Sequence, residues 1–182
     1  MRDRDLTRLS SITGKDLSYH GCSGMSDTEL LCGRPYGGVA ILWLPHVDVT
    51  VVPYPAICNR CCAVKVVTGD VSFAIINVYM PVDNFSSNII DVELRDTVDN
   101  IETFIHSINV DFIVIAGDLN VDLGRSNAHG RFLVDFLSRV DMYLCTSFVP
   151  YNFSFTRSCN GSFSLIDHVA VSSALKTYCS KY

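Results

Sequence analysis

The sequence has no hydrophobic run long enough to cross a membrane. Its longest apolar stretch, GGVAILWLP at residues 37–45, is far shorter than the ~20 residues of a membrane-spanning helix. The N-terminus is polar and has no apolar centre of the kind that secretory signal peptides carry. We therefore expect a protein that is not secreted, has no membrane partner and lies in the nucleus or the cytoplasm.

The sequence also has no excess of positive charge. Lysine and arginine total 14 against 19 acidic residues, so the formal net charge is −5. A strongly basic balance, which neutralises phosphates in many nucleic-acid-binding proteins, is excluded. Affinity for nucleic acid then requires basic residues such as Arg125, Arg131 and Arg157 to cluster near a site. Nothing in the composition indicates an obligate protein partner.

Cysteine is plentiful, with eight residues in the chain. Without a secretory signal we expect reduced thiols and not disulfides. Cys58 and Cys61 have the spacing of zinc ligands, but no second Cys-x-x-Cys or histidine pair completes a tetrahedral site. We interpret the pair as small apolar residues of a strand, with zinc as the less favoured alternative.

The length of 182 residues and the hydrophobic fraction of 48% indicate one domain, spanning residues 1–182, with a sizeable core. Residues 1–35 are polar and are predicted to be irregular. Alternation and turn signals predict strands after them. These predicted strands are Val39–Leu44, Val47–Val52, Cys62–Val67, Val71–Met80, Met142–Phe148, Asn152–Thr156 and Ser162–Val171.

Two segments have helical periodicity. In residues 86–109 apolar side chains recur at steps of three and four, and Ser86 or Ser87 could cap the helix. A shorter helix is predicted at His129–Val140. Many strands with two helices between them indicate layered sheets covered by helices, an α/β protein.

The stretch Asp111–Gly124 combines a buried strand with regularly spaced polar residues. If extended geometry persists past Gly117, Asp118 and Asn120 project to the same side. A carboxylate can accept a proton from water, and an amide can hold that water or a phosphate oxygen, which suits hydrolysis of a phosphate ester. The same residue types are also common in turns, so the spacing leaves both interpretations open. We interpret Asp122 as loop surface.

Five blocks in order make the hydrolase interpretation specific. They are GGVAILW, NVYMP (Asn77–Pro81), GDLN (Gly117–Asn120), NFSFT (Asn152–Thr156) and SLIDHVAVS (Ser164–Ser172). Together they resemble the endonuclease/exonuclease/phosphatase family, most of all the apurinic-type endonuclease domain of LINE-type non-LTR retrotransposons. The resemblance implies a four-layer α/β sandwich, in which two packed mixed sheets are flanked by helices. It also implies a divalent-metal-dependent phosphodiesterase that cleaves DNA.

The resemblance assigns a role to each matching residue. Asp118 polarises the attacking water, and Asn120 helps to hold water and phosphate. Tyr79 contacts the scissile phosphate, and Asp167 orients a histidine. Ser154 lies near the DNA backbone. The cofactor that the family uses is Mg²⁺ or Mn²⁺.

His168 is excluded as the catalytic histidine, because it neighbours Asp167 on a predicted strand and so faces the opposite side. His20, His46, His106 and His129 have no motif around them and are expected to be structural or solvent-facing.

The chain also departs from the family pattern. A full domain has an earlier block with a metal-binding glutamate and a later Ser-Asp-His block, and neither occurs here. We therefore expect a domain incomplete at both termini, with unknown metal ligands, weak metal binding and impaired activity. The alternatives are a catalytically inactive relic or binding module, and a phosphatase of small phosphoesters with the same fold.

Overall fold

The chain folds into short strands connected by helices and loops. This computed structural model describes residues 2–12, 17–28, 30, 37–45, 48–82, 90–123, 125, 127–145 and 155–179. The strands are β1 (Ser18–Cys22), β2 (Val39–Trp43), β3 (Thr50–Pro53), β4 (Cys61–Thr68), β5 (Val71–Tyr79), β6 (Phe112–Asp118), β7 (Met142–Leu144), β8 (Arg157–Cys159), β9 (Ser162–Ser164) and β10 (Asp167–Ser172). The helices are α1 (Asp3–Ile12), α2 (Val92–Ser107), α3 (Ala128–Arg139) and α4 (Lys176–Cys179). None of these described helices is long and apolar enough to span a membrane.

Six strands form one mixed sheet in the order β3-β4-β5-β6-β10-β7. Within this sheet β5 and β6 run parallel, because α2 carries the chain back across the sheet between them. The other neighbouring pairs are antiparallel. The β4–β5 hairpin turns at Gly69 and Asp70, between the strands predicted at Cys62–Val67 and Val71–Met80.

Helices α2 and α3 cover one face of this sheet. The α2 residues Leu94, Val98 and Ile101 are fully buried and pack in one cluster with Ile76 and Ile115 of the sheet. The helical face predicted from the apolar spacing is therefore confirmed. Burial of this cluster removes apolar surface from water. This hydrophobic effect is the main force that holds the helices on the sheet.

The other face of the six-stranded sheet is covered by the antiparallel pair β1–β2. Cys22 and Val39 from this pair pack with Cys62 of β4 and Tyr79 of β5. Helix α1 contacts β1 in turn. The layers are helix, small sheet, large sheet and helices, so the predicted four-layer α/β sandwich is confirmed.

The prediction of an irregular segment over residues 1–35 was wrong for α1 and β1. Helix α1 is held by polar contacts: the Arg4 N–H donates to Asp27 Oδ2 at 3.1 Å, and the Arg2 N–H donates to Asp5 Oδ2 at 2.8 Å. The helix also has Leu6, Leu9 and Ile12 at three-residue spacing, a short apolar stripe that the sequence analysis did not interpret as a helix.

Several predicted boundaries differ from the structure. Helix α2 begins at Val92, because the Asp91 carboxylate accepts the Glu93 N–H and caps the helix. Ser86 and Ser87, with most of the predicted strand Asn152–Thr156, lie outside the described residues. The predicted strand Ser162–Val171 is divided into β9 and β10.

Candidate active site

Three predicted site residues lie side by side at one edge of the large sheet. In the parallel register Tyr79 pairs with Asp118, and in the antiparallel register Asp118 pairs with Asp167. Paired residues on neighbouring strands point to the same face. Tyr79 packs beside Cys62, so this row lies on the face that also carries β1–β2.

Asn120 joins the row through a turn and not through an extended strand. Strand β6 ends at Asp118, and Asn120 has a left-handed backbone with φ of 52°. Asp118 Oδ1 accepts the Asn120 N–H at 2.8 Å, and Asn120 Nδ2 donates to the Met80 carbonyl at 2.8 Å. Of the two interpretations that the spacing left open, the turn is the one observed, and it joins the Asp118 carboxylate to the Asn120 main chain.

Gly117 allows β6 to approach β5 closely just before this turn. Its φ is 142°, and a Cβ atom here would lie 2.0 Å from the Val78 carbonyl oxygen. No larger residue fits without moving the backbone. The Met80 N–H donates to the Asp118 carbonyl at 2.8 Å, which fixes the end of β5 against the turn.

The charge of the site is negative and only partly compensated. Burial raises the pKa of Asp118, and the neighbouring Asp167 carboxylate raises it further. The charges of Arg157 and His168 act in the opposite direction. Two carboxylates on adjacent strands form an oxygen-rich edge that suits a hard divalent cation.

Arg60 contacts Tyr79 through both its main chain and its side chain. Its carbonyl accepts the Tyr79 N–H at 2.9 Å, and its guanidinium lies 3.4 Å from the Tyr79 carbonyl and 5.5 Å from the centre of the ring. The same guanidinium binds Glu93 of α2 at 2.7 Å. Helix α2 thus positions a site residue through a buried arginine that the sequence analysis did not single out.

Thr156 is a second residue that the sequence analysis missed. Its hydroxyl oxygen accepts the N–H groups of Ile166 and Asp167, each at 3.2 Å. The hydroxyl therefore fixes the start of β10 next to Asp167. Only the position of Thr156 at the end of the NFSFT block pointed to it. Ser154 from the same block lies outside the described residues.

His168 faces away from Asp167, as its place next to Asp167 on a strand predicted. Its ring is buried on the opposite face from Asp167, and Nε2 lies 2.9 Å from the Val121 carbonyl. His129 is likewise buried, which agrees with a structural histidine.

Comparison with known proteins identifies the fold. No family model matches the sequence, and no curated protein matches it. The endonuclease domain of the telomere-specific non-LTR retrotransposon TRAS1 superposes with a TM-score of 0.66 at 12% identity, covering 96% of this chain and 80% of that one. An endonuclease/exonuclease/phosphatase family protein from Leptotrichia buccalis superposes with a TM-score of 0.54 at 14% identity, covering 92% and 64%. This chain has the endonuclease/exonuclease/phosphatase fold.

A mannosyl-6-phosphatase from Bacteroides thetaiotaomicron has the same fold, with a TM-score of 0.56 at 18% identity, covering 94% of this chain and 68% of that one. These matches at low identity establish the endonuclease/exonuclease/phosphatase fold, which is the fold that the five sequence blocks predicted. The chain spans about two thirds of the length of the bacterial proteins.

A cleft of about 340 Å³ borders the row at Asn120, while Tyr79, Asp118 and Asp167 are not part of its lining. Asn120, Asp122, Arg125, Arg157 and Phe163 contribute to its lining. Asp122 lies in the loop after β6, as interpreted, and lines this cleft, where its carboxylate binds Arg125 at 3.2 Å. Arg125 and Arg157, two of the three arginines named as candidates for nucleic-acid binding, therefore line the cleft next to Asn120.

Metal binding at this site depends on which side chains can act as ligands. Among the described residues, no group of three His, Cys, Asp or Glu side chains could hold a metal ion. The two carboxylates of the row, Asp118 and Asp167, are oxygen donors of the kind that hard divalent cations bind.

Proposed function

We propose that this chain is a phosphodiesterase that cleaves DNA at the row formed by Tyr79, Asp118 and Asp167. The observation that carries the proposal is the strand register, which aligns a phenol and two carboxylates at one sheet edge. Asn120 extends the row through its turn. These groups match the needs of phosphate-ester hydrolysis: a base for water, donors to phosphate oxygens, and oxygen ligands for a metal.

Each residue has a proposed task. The Asp118 carboxylate accepts a proton from the attacking water, and its raised pKa brings it nearer to the range of a general base. Asn120 is anchored to Met80 by one N–H, so its other N–H and its oxygen can contact water or phosphate. The Tyr79 hydroxyl donates to a phosphate oxygen. Ser154 is proposed to contact the DNA backbone.

A divalent metal, Mg²⁺ or Mn²⁺, is the proposed cofactor. When bound, it would supply Lewis-acid stabilisation of the phosphoryl oxygens. Asp167 would hold it or, if a histidine is supplied on that face, orient that histidine, because Asp118 is assigned as the base. Because the row has only two carboxylates, we propose weak metal binding and a low rate of hydrolysis for these 182 residues.

DNA is the proposed substrate for two reasons. The superposition on a retrotransposon endonuclease domain has a higher TM-score than those on the bacterial proteins, 0.66 against 0.54 and 0.56. Arg125 and Arg157 line the cleft next to Asn120, which suits a polyanionic strand despite the negative net charge of the chain.

The decisive experiment is nicking of supercoiled plasmid by the whole chain in Mg²⁺. We expect slow nicking that stops in EDTA and is lost in Asp118→Ala. The matched control is Asp70→Ala in the turn at the opposite end of β5, which should nick like the unaltered chain. Nicking that survives in Asp118→Ala contradicts the assignment of the site. Fast nicking by the unaltered chain contradicts the proposed impairment.

A phosphatase of small phosphoesters is the second candidate, and the cleft of about 340 Å³ beside the row favours it, since a small ester fits there. Hydrolysis of 4-nitrophenyl phosphate without plasmid nicking would favour this candidate. A binding module or relic is the third candidate. Titration calorimetry with Mg²⁺ distinguishes it, because a chain that binds no Mg²⁺ and nicks no DNA has lost the proposed chemistry.

A further inference from the structure

Two cysteines face each other across a tight turn behind the site. Cys58 and Cys61 are antiparallel bridge partners, and the Cys61 N–H donates to the Cys58 carbonyl at 3.4 Å. The Cα atoms of antiparallel partners lie about 4.5–5.5 Å apart, within the roughly 4.4–6.8 Å that a disulfide spans. The pair was expected to be part of a strand, but the turn at Asn59 and Arg60 separates the two residues.

The two thiols differ in access and acidity. Cys58 is half-buried, whereas Cys61 is fully buried. A hydrogen bond from the Cys61 thiol and the nearby Arg60 charge lower the pKa of Cys58 to about 7. The same hydrogen bond and burial raise the pKa of Cys61. Near neutral pH a large share of Cys58 is therefore thiolate, the form that reacts with disulfides.

We propose that Cys58 and Cys61 form a redox-active dithiol. Cys58 attacks one sulfur of a small-molecule disulfide, forms a mixed disulfide and releases one thiol. Cys61 then attacks the Cys58 sulfur, releases the second thiol and closes an intramolecular disulfide. The small disulfide is reduced by two electrons to two thiols, and the protein pair is oxidised by two electrons; the protons of the protein thiols leave with the products.

The dithiol turn is physically joined to the candidate site. Arg60, which lies between the two cysteines, accepts the Tyr79 N–H through its carbonyl at 2.9 Å. Its guanidinium lies 3.4 Å from the Tyr79 carbonyl. A disulfide across the turn would restrict the motion of Arg60, so oxidation changes how firmly the end of β5 is held.

A second cysteine pair serves as an internal control. Cys145 and Cys179 have their Sγ atoms 3.8 Å apart, but burial raises the pKa of Cys145 to about 11. At pH 7 the thiolate fraction of Cys145 is far smaller than that of Cys58. Its higher nucleophilicity offsets part of this difference, so we expect attack by Cys145 to be slower than attack by Cys58.

The test exposes the whole chain to oxidised glutathione at pH 7 and follows cysteine linkage by peptide mapping and mass spectrometry. Cys159 is exposed and Cys32 lies outside the described residues, so both are first replaced by serine. We expect a Cys58–Cys61 disulfide before any Cys145–Cys179 link. Cys61→Ser should accumulate glutathione on Cys58, and Cys58→Ser should leave Cys61 reduced.

Hydrogen exchange at the Tyr79 amide reports the coupling to the site. Its rate should change on oxidation in the parent and stay unchanged in Cys58→Ser. The dithiol proposal is overturned if Cys145–Cys179 oxidises first, if Cys61→Ser gains no glutathione on Cys58, or if the Cys58→Ser variant oxidises Cys61 equally fast. Neither readout requires DNA cleavage, so this result is independent of the nicking assay.

Discussion

The side-chain amide of Asn120 donates to the main-chain carbonyl of Met80 at 2.8 Å, and this bond ties the loop after β6 to the end of β5. Asn120 also has a left-handed backbone, with φ of 52°. One residue thus carries both a conformational and a hydrogen-bonding constraint. The two contributions can be separated because Asn160 has nearly the same backbone, with φ of 49°, in the exposed β8–β9 turn.

We predict that Asn120→Ala lowers the free energy of unfolding by about 2–3 kcal/mol, the sum of a lost hydrogen bond and left-handed strain. Asn160→Ala should lose only the conformational part, about 1 kcal/mol. Asn120→Gly should lie between the parent and Asn120→Ala. Urea denaturation measures all three, and equal losses at the two alanine variants would show that the Met80 bond contributes nothing.

Asp118 is predicted to destabilise the fold at neutral pH. Its pKa in the folded chain is raised from the ordinary value of 3.8 by burial and by Asp167. A carboxyl with a raised folded pKa imposes its penalty above that pKa, and the penalty vanishes below the unfolded pKa. Asp118→Asn should therefore raise the Tm by a few degrees at pH 7, and the two Tm curves should converge as the pH falls towards 3.8.

Asp111, at the opposite end of β6 from Asp118, is the control, because its pKa is shifted in the opposite direction. Hydrogen bonds from the Ser72 hydroxyl and N–H, each at 2.8 Å, lower the pKa of Asp111. Its stabilising effect is present above the unfolded pKa and lost as the pH falls through the folded pKa. Asp111→Asn should lower the Tm at pH 7. If both variants shift the Tm in the same direction, the electrostatic explanation is wrong.

Gly117 should tolerate no substitution. A Cβ atom would lie 2.0 Å from the Val78 carbonyl oxygen, so Gly117→Ala must move β5 or β6. We expect a loss of more than about 3 kcal/mol or insoluble protein. Gly69→Ala is the matched control, since its Cβ would meet nothing within 4 Å and only the left-handed cost of roughly 1 kcal/mol remains. A Gly117→Ala variant as stable as Gly69→Ala contradicts the close approach.

The ion pair between Arg60 and Glu93 is predicted to contribute more to the free energy of unfolding than an ion pair at the surface does. The Arg60 side chain is only 6% exposed, and Glu93 lies 2.7 Å away. Glu93 itself is half-exposed, so we expect Glu93→Ala to cost about 1–2 kcal/mol and not the full value of a buried pair. Glu102→Ala, which breaks the more exposed Arg139 pair, should cost about 0.5 kcal/mol in the same denaturation assay.

The sequence predicted strands and helices well where one apolar face governs them, as in α2 and the β4–β5 hairpin. The spacing after Gly117 pointed to Asp118, but Tyr79 and Asp167 were proposed only through the resemblance, because the strand register that aligns the three is set by pairing partners far along the chain. It did not decide the backbone conformation at Asn120, since Asp and Asn are equally common at a strand end and in a turn. It missed Arg60, because the role of Arg60 depends on contacts with Tyr79 and Glu93, and both of these residues lie far from Arg60 in the sequence.

The β4–β5 turn lies at the opposite end of β5 from Tyr79. Eight residue steps separate Val71 from Tyr79, which at roughly 3.3 Å per residue is about 26 Å of strand. Around Gly69 there is open space, whereas around Gly117 there is none. A short peptide tag or a new pair of termini introduced at Gly69 should leave the candidate site undisturbed. The same sheet thus provides a place to attach a label for following the protein in cells.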